Sequence, residues 1–314
     1  MLFRNGEGIV RVHTTVSADQ RDRFRAVVER RRARTSKDAP RLEVEFSVQD
    51  PATDTLAIDG GGEPFRGDDG ALTLRPAGHG ALLGNLARAP AAIAMVKNID
   101  NVAAEPYRAP TIEWTRAIVG RLCELRERSH VLLRRLANAD DTAAVSEAHR
   151  FAQQAGFGAP AAPSREALRT VLDRPLRVCG MVPNTGEPGG GPFWVRGRDG
   201  SVTRQIVESA QVRAGDAGQM AIFRAATHFN PVFLACALDD ATGRRFELAH
   251  FVDPDAVIVT RRSSGGRDLV ALERPGLWNG GMAGWNTVFI EVPLAVFNPV
   301  KIVNDLLRRE HQPD

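Results

Sequence analysis

Residues 72–101, LTLRPAGHGALLGNLARAPAAIAMVKNIDN, constrain the fold of this chain more than any other stretch. A short apolar segment at 72–74 enters the turn 75–80, a helical pattern follows over about 81–88, and an unbroken apolar run returns at 93–96. An uninterrupted run of that kind is the pattern of a strand covered on both faces, as in a sheet flanked by helices. It ends at Lys97-Asn98-Ile99-Asp100-Asn101. Loops at the carboxyl ends of such strands are where open α/β sheets hold ligands.

The rest of the chain repeats the theme. Residues 9–16 and 42–48 alternate with β-branched positions and read as strands. Between them Ser17 and Gln20 are spaced as a capping box for a helix reaching about Arg34. This β-α-β order favours a parallel pair. Residues 111–137 carry Ile118, Leu122, Leu125, Val131, Leu132 and Leu136 at helical spacing, with arginines on the other face. Helices over 142–154 and after Ser164 complete a helical insertion at 111–172. Strands dominate the second half, with a hairpin pairing 193–196 with 205–208 and a closing helix over 299–309. We therefore expect one α/β domain over 1–314, Rossmann-like, with a mixed, mostly parallel sheet flanked by helices.

Composition excludes several classes. At 43% hydrophobic and 25% charged, the chain is an ordinary globular sequence. No apolar run approaches the roughly 20 residues of a membrane span, and the start, MLFRNGEGIVRVH, has no secretory pattern. A cytoplasmic location is expected. Net charge is +3, concentrated in arginine-rich helices, and with a single tyrosine there is no aromatic interleaving to support nucleic-acid binding. Cys123, Cys179 and Cys236 are odd in number and widely spaced, so they are expected as buried apolar filler rather than disulfides or zinc ligands. The tryptophans at 194, 278 and 285 are expected in the core. No oligomerisation signal stands out.

Five short motifs are candidates for chemistry, and each has a plain structural alternative. Arg75-Pro76-Ala77-Gly78-His79-Gly80 joins a strand to a helix. Its glycines allow a flat ligand to approach the backbone, and the helix start offers N–H groups to an anion; the alternative is a tight turn. Asp100-Asn101 closes an apolar strand. A carboxylate there can hold Mg²⁺ together with phosphate oxygens, or simply form a turn. Residues 184–194, NTGEPGGGPFW, either fold over a ligand or form a loose loop, and Glu208 beyond them is either a sugar-hydroxyl acceptor or a surface carboxylate. In Thr227-His228-Phe229-Asn230-Pro231, Asn230 is a candidate ligand amide, whereas His228 has no metal-spaced partner and reads as a hydrogen-bonded structural histidine. In Phe297-Asn298-Pro299-Val300-Lys301 the lysine, read just inside a helix, is a phosphate partner or a solvated side chain.

The order of these motifs resembles the UDP-sugar pyrophosphorylases. That family has a Pro-Gly-His/Asn-Gly loop at the uracil and a strand ending in Asp-Asn, which Pro76 to Gly80 and Asp100-Asn101 resemble, with Ala77 inserted. Cys179-Gly180, Asp199-Gly200 and Val207-Glu208 resemble the family's next block. Phe229-Asn230 resembles its sugar-contacting Phe-Asn, and Phe297 to Lys301 its phosphate-binding segment. A closer likeness runs along nearly the whole chain: RPAGHGAL, KNIDN, RVCGMV, GEPGGGPFWV, ATHFNPV, PGLWNG and FNPVK resemble the bacterial family called domain of unknown function 4301.

The resemblance implies a nucleotide-diphospho-sugar transferase-like fold and a nucleotidyltransferase acting on a nucleoside triphosphate and a sugar phosphate. It implies that Pro76, Gly78, His79, Gly80 and Asn101 seat the nucleotide, Asp100 holds Mg²⁺, Gly180, Glu208 and Asn230 contact the sugar, and Lys301 pairs with its phosphate. One departure is that no GGxGTR-like triphosphate loop precedes Pro76, so the chain is expected to be an N-terminally truncated member with little activity. A non-catalytic sugar-nucleotide binder and a metal-dependent glycosyltransferase are the other readings.

Overall fold

Residues 8–35, 40–186, 189–198, 200–213 and 215–312 are described by the computed structural model. Residues 1–7, Glu187, Pro188 and Asp199, read above as part of the chain start, the glycine loop and the hairpin turn, lie outside them. The chain divides into two compact units, Met1–Ala89 with Val257–Leu277, and Pro90–Ala256 with Trp278–Asp314. No change of composition marks these boundaries, and the sequence reads as one domain across them.

In the first unit, Ile9–Thr15 and Arg41–Ser47 pair in parallel, joined by the helix Arg21–Ala33. The β-α-β expectation holds, but the helix starts later than Ser17, behind Gln20, with no side-chain cap. Phe24 on the helix meets Phe46 on the second strand at 6.5 Å between ring centres. A four-stranded antiparallel sheet follows the order Ile258–Ser264, Arg267–Glu273, Thr55–Ile58, Leu74–Arg75. Ala57, Phe65, Leu269 and Ala271 fill its small core.

The second unit is built on the strand order Asn286–Glu291, Leu176–Pro183, Phe233–Ala237, Ile93–Lys97. Three of these run in one direction, and Phe233–Ala237 is reversed between two of them. The sheet is therefore mixed, as expected, with three of four strands aligned; the reversal leaves only one pair hydrogen-bonded as parallel neighbours. Nothing in an all-apolar segment such as FLACA encodes direction, so the reversal is invisible to pattern. Helices Ala109–Ala137, Ala143–Ala155 and Arg165–Leu172 occupy the expected insertion. Ser164 caps the last of them, its side chain accepting from the Ala167 N–H at 3.1 Å. Ile118, Leu122, Leu125, Leu132 and Leu136 lie in the core with Val178, Phe233 and Ala235 of the sheet.

Three expectations need correction. Cys179 and Cys236 are buried, and burial pushes the Cys179 thiol to about 11 and raises Cys236 as well; Cys123, however, is exposed on its helix. Trp285 is buried, but Trp194 is 64% exposed. The expected helix over 299–309 is absent: Val303–Leu307 and Arg309–His311 are 3-10 turns. Asp305 explains the break. Its carboxylate accepts the N–H groups of Lys301 and Ile302, fixing an extended entry to the turn. Among the described residues no helix is long and apolar enough to cross a membrane.

Candidate functional site

The three aligned strands of the second unit end on one edge of the sheet. Ile93–Lys97 leads there to Asp100, Leu176–Pro183 to Asn184, and Asn286–Glu291 to the segment ending in Lys301. The reversed strand begins on that edge, directly after Asn230-Pro231-Val232. Topology alone thus brings Asp100, Asn101, Asn230 and the 297–301 segment to the carboxyl edge, the usual ligand position in α/β sheets.

Contacts within the edge are specific. The buried Asn101 amide donates to the Val296 carbonyl at 3.1 Å, and its Oδ1 accepts the Asn298 N–H at 2.8 Å. The Val300 N–H donates to the Asp100 carbonyl at 2.9 Å, and Asn101 forms a bridge with Pro299. Asn101 therefore spends its side chain on fixing the lysine-bearing segment. The Lys301 residue is exposed. Asp100 differs: its Oδ1 is buried and has no hydrogen-bond partner. Nearby, Lys97 donates from its ammonium to the Asn101 carbonyl, closing over the 98–101 turn. Lys97 is exposed as a residue, yet desolvation of its ammonium lowers its pKa, with Asp100 opposing the shift and Arg108 adding to it.

Asn230 is buried, with its Oδ1 accepting from the Val232 N–H at 3.1 Å. Val232 has φ of 54°, a left-handed conformation that a β-branched residue adopts only under constraint, and such strain concentrates at functional positions. Phe229 packs on Phe297 at 5.2 Å between ring centres, tying this turn to the 297–301 segment. His228 lies 2.9 Å from Thr227 Oγ1 and 3.0 Å from Glu291 Oε2, in keeping with a hydrogen-bonded structural histidine.

The glycine loop is close-packed at its described end. A Cβ on Gly189 would meet Phe229 at 2.2 Å, one on Gly190 would meet Glu208 at 2.9 Å, and one on Gly191 the His228 carbonyl at 2.8 Å. Glu208 is likewise engaged: it caps the turn Ser209–Gln211, and its Oε1 accepts from the Trp278 indole at 3.0 Å. Arg177, fully buried on Leu176–Pro183, donates to the Trp278 carbonyl at 2.5 Å and to Thr287 Oγ1 at 2.8 Å, so it anchors the segment that carries this indole. Gly180 has core side chains packed against it. Its Cβ would lie 2.9 Å from Phe233 and 3.0 Å from Ile118.

The Pro76–Gly80 loop belongs to the first unit, where it is packed against residues 273–277. Gly78 has φ of +71°, and a Cβ there would meet Glu273 Oε2 at 2.4 Å; one on Gly80 would meet the Pro275 carbonyl at 2.3 Å. His79 Nδ1 accepts the Leu277 N–H at 2.9 Å. The helix after the loop is only Leu83–Ala87, entered through the 3-10 turn Gly78–Leu82, so the expected helix start at 81 is displaced. Residues missed by sequence reasoning include Lys97, Glu291 and Val232. Only Lys97 left a signal, as a cation closing an otherwise apolar strand.

Among the described residues no three His, Cys, Asp or Glu side chains converge to hold a metal. Mg²⁺ does not need such a cage, since it is commonly held by one or two carboxylates with substrate phosphates. The unpartnered buried Oδ1 of Asp100 fits that role.

The family model described as Domain of unknown function (DUF4301) matches residues 1–312, and the chain belongs to that family. Comparison with curated proteins finds no match. Among solved structures, two variants of UDP-glucose pyrophosphorylase from Leishmania major in complex with UDP-glucose are similar. One has TM-score 0.51 at 16% identity over 97% of this chain, the other 0.50 at 17% over 96%. UDP-N-acetylglucosamine pyrophosphorylase from Trypanosoma brucei gives TM-score 0.43 at 13% identity, covering 92% of this chain and 49% of its own. The chain spans 55% of the length of either Leishmania protein. The fold is that of the UDP-sugar pyrophosphorylases, a nucleotidyltransferase-like α/β fold.

Proposed function

We propose that the protein joins a nucleoside triphosphate, UTP first among candidates, to a sugar 1-phosphate, forming a UDP-sugar and pyrophosphate in the cytoplasm. The observation that carries this reading is the convergence of Asp100, Asn230 and the Lys301 segment on one carboxyl edge, beside a strained Val232. In the reaction a phosphate oxygen of the sugar attacks the α-phosphorus, the bond to the β-phosphate breaks, and pyrophosphate departs. Such a transfer needs positioning and charge neutralisation more than proton transfer. Lys301 pairs with the sugar phosphate. Asn230 orients the sugar through the part of its amide not bonded to Val232, and Glu208 borders it while held by Trp278. Gly180 supports the wall from within the core. Asn101 fixes the lysine segment. In the first unit, Pro76, Gly78, His79 and Gly80 are the residues that the family resemblance assigns to the base. Asp100 is the residue that would hold Mg²⁺, whose charge offsets that developing on the phosphates.

A non-catalytic sugar-nucleotide binder is the second reading, favoured by one observation: the spaces beside Gly78 and Gly80 are filled by the chain's own Glu273 and Pro275. Pyrophosphate release from UTP, sugar 1-phosphates and Mg²⁺ separates the two. Release that is lost in Asp100→Ala supports the transferase. UDP-glucose binding without release under any of these conditions rejects it in favour of the binder.

A further inference from the structure

The Asp100 turn holds a charge of its own. Lys97 is the last residue of its strand, three positions before Asp100, and its ammonium reaches across the turn to the Asn101 carbonyl. The turn is closed beneath it by the Asn101 N–H donating to the Asn98 carbonyl at 3.4 Å. Asp100 sits inside this loop with Oδ1 buried and without a hydrogen-bond partner, so the Lys97 ammonium is not bonded to that oxygen. A cation held near a carboxylate without being bonded to it raises the local positive potential at the point where a metal ion would bind. Arg108, which donates to the Ala103 carbonyl at 2.9 Å, adds to that potential from the following segment.

We infer that Lys97 is a resident cation of the Asp100 turn that competes with a divalent metal ion for it. The inference rests on the assignment of Asp100 as the metal ligand. It has two consequences. Metal affinity without substrate is weak, because the incoming ion meets the like charge of Lys97 held in the same turn. When phosphate oxygens arrive, the ammonium is already in place to neutralise part of their charge, which is the task usually left to the ion.

Mn²⁺ titration of the intact protein, read by calorimetry or by the loss of the free-ion electron-spin signal, tests this without any assay of turnover. Lys97→Met and Lys97→Gln should bind Mn²⁺ about tenfold more tightly than wild type, the order expected for removing one like charge at short range in a partly solvated site. Lys97→Arg, which keeps the charge, should match wild type. Asp100→Asn added to Lys97→Met should abolish the gain. If wild type and both neutral variants bind equally, and all depend on Asp100, Lys97 does not compete and the metal assignment stands alone. If none binds in an Asp100-dependent way, both the competition and the metal assignment fall.

Discussion

The Pro76–Gly80 loop and the Lys97–Asn101 turn are the two most ligand-like pieces of the sequence, yet the structure treats them oppositely. The loop is satisfied from within: its glycines receive Glu273 and the Pro275 carbonyl, and its histidine accepts the Leu277 N–H. The turn is left incomplete: Asp100 Oδ1 is buried with no hydrogen-bond partner, while both the amide nitrogen and the oxygen of Asn101 beside it are hydrogen-bonded. A glycine in a motif is ambiguous, because the missing Cβ makes room equally for a ligand or for another stretch of backbone. A buried carboxylate oxygen without a donor is less so, since leaving it unpaired costs free energy.

The sharpest way to break this comparison is Gly80→Ala. The new Cβ would sit 2.3 Å from a backbone oxygen that has no rotamer to escape through. We expect a loss of about 3 kcal/mol by denaturant unfolding, the upper part of the overpacking range. Gly60→Ala, with open space around it, should stay within about 0.5 kcal/mol. Equal effects would mean that the 273–277 segment does not occupy the loop as described.

Within the turn, neighbouring residues should separate cleanly. Asn101→Ala orphans the Val296 carbonyl and the Asn298 N–H and should cost about 2 kcal/mol. Asp100→Asn should change stability by no more than about 0.5 kcal/mol, because the buried Oδ1 makes no hydrogen bond to lose. Matching thermal shifts for the two would remove the distinction between fixing residue and ligand residue.

The smallest effect concerns the entry to the 3-10 turns. The N–H groups of Ile302 and Lys301 hold the Asp305 carboxyl below its ordinary value. A depressed folded pKa contributes stability above the unfolded value that disappears as pH falls through the folded one. Asp305→Asn should therefore be less stable than wild type near neutrality, with the gap closing as the pH drops below the usual carboxylate range. A gap independent of pH in unfolding curves would reject the role of the charge.

Periodicity and caps made most of the helices legible. The stripe of Ile118, Leu122 and Leu125 and the Ser164 cap are local signals, and both appear where expected. Long-range contacts were not legible. Nothing near Gly180 in sequence announces that Phe233 and Ile118 will fill the space beside it, and nothing near Glu208 announces the Trp278 indole. The closing helix failed for the same reason: its helical composition is overridden by one side chain, Asp305, bonding to the backbone before it. At the candidate site, residue types and order were readable, whereas which of them are spent on the fold was not. Asn101 and Glu208 read as ligand residues in sequence, and in the structure their side chains also make hydrogen bonds that hold the fold together.

The carboxyl edge of the second unit as a phosphate site is the central claim, and titration of UDP-glucose with Mg²⁺ into wild type and Lys301→Ala tests it most directly. Wild type should bind saturably. Lys301→Ala, altered only at an exposed residue, should melt at the same temperature and bind at least about tenfold more weakly, the loss expected for one phosphate-paired cation. Equal affinity in the two proteins, or no binding to wild type, would contradict it.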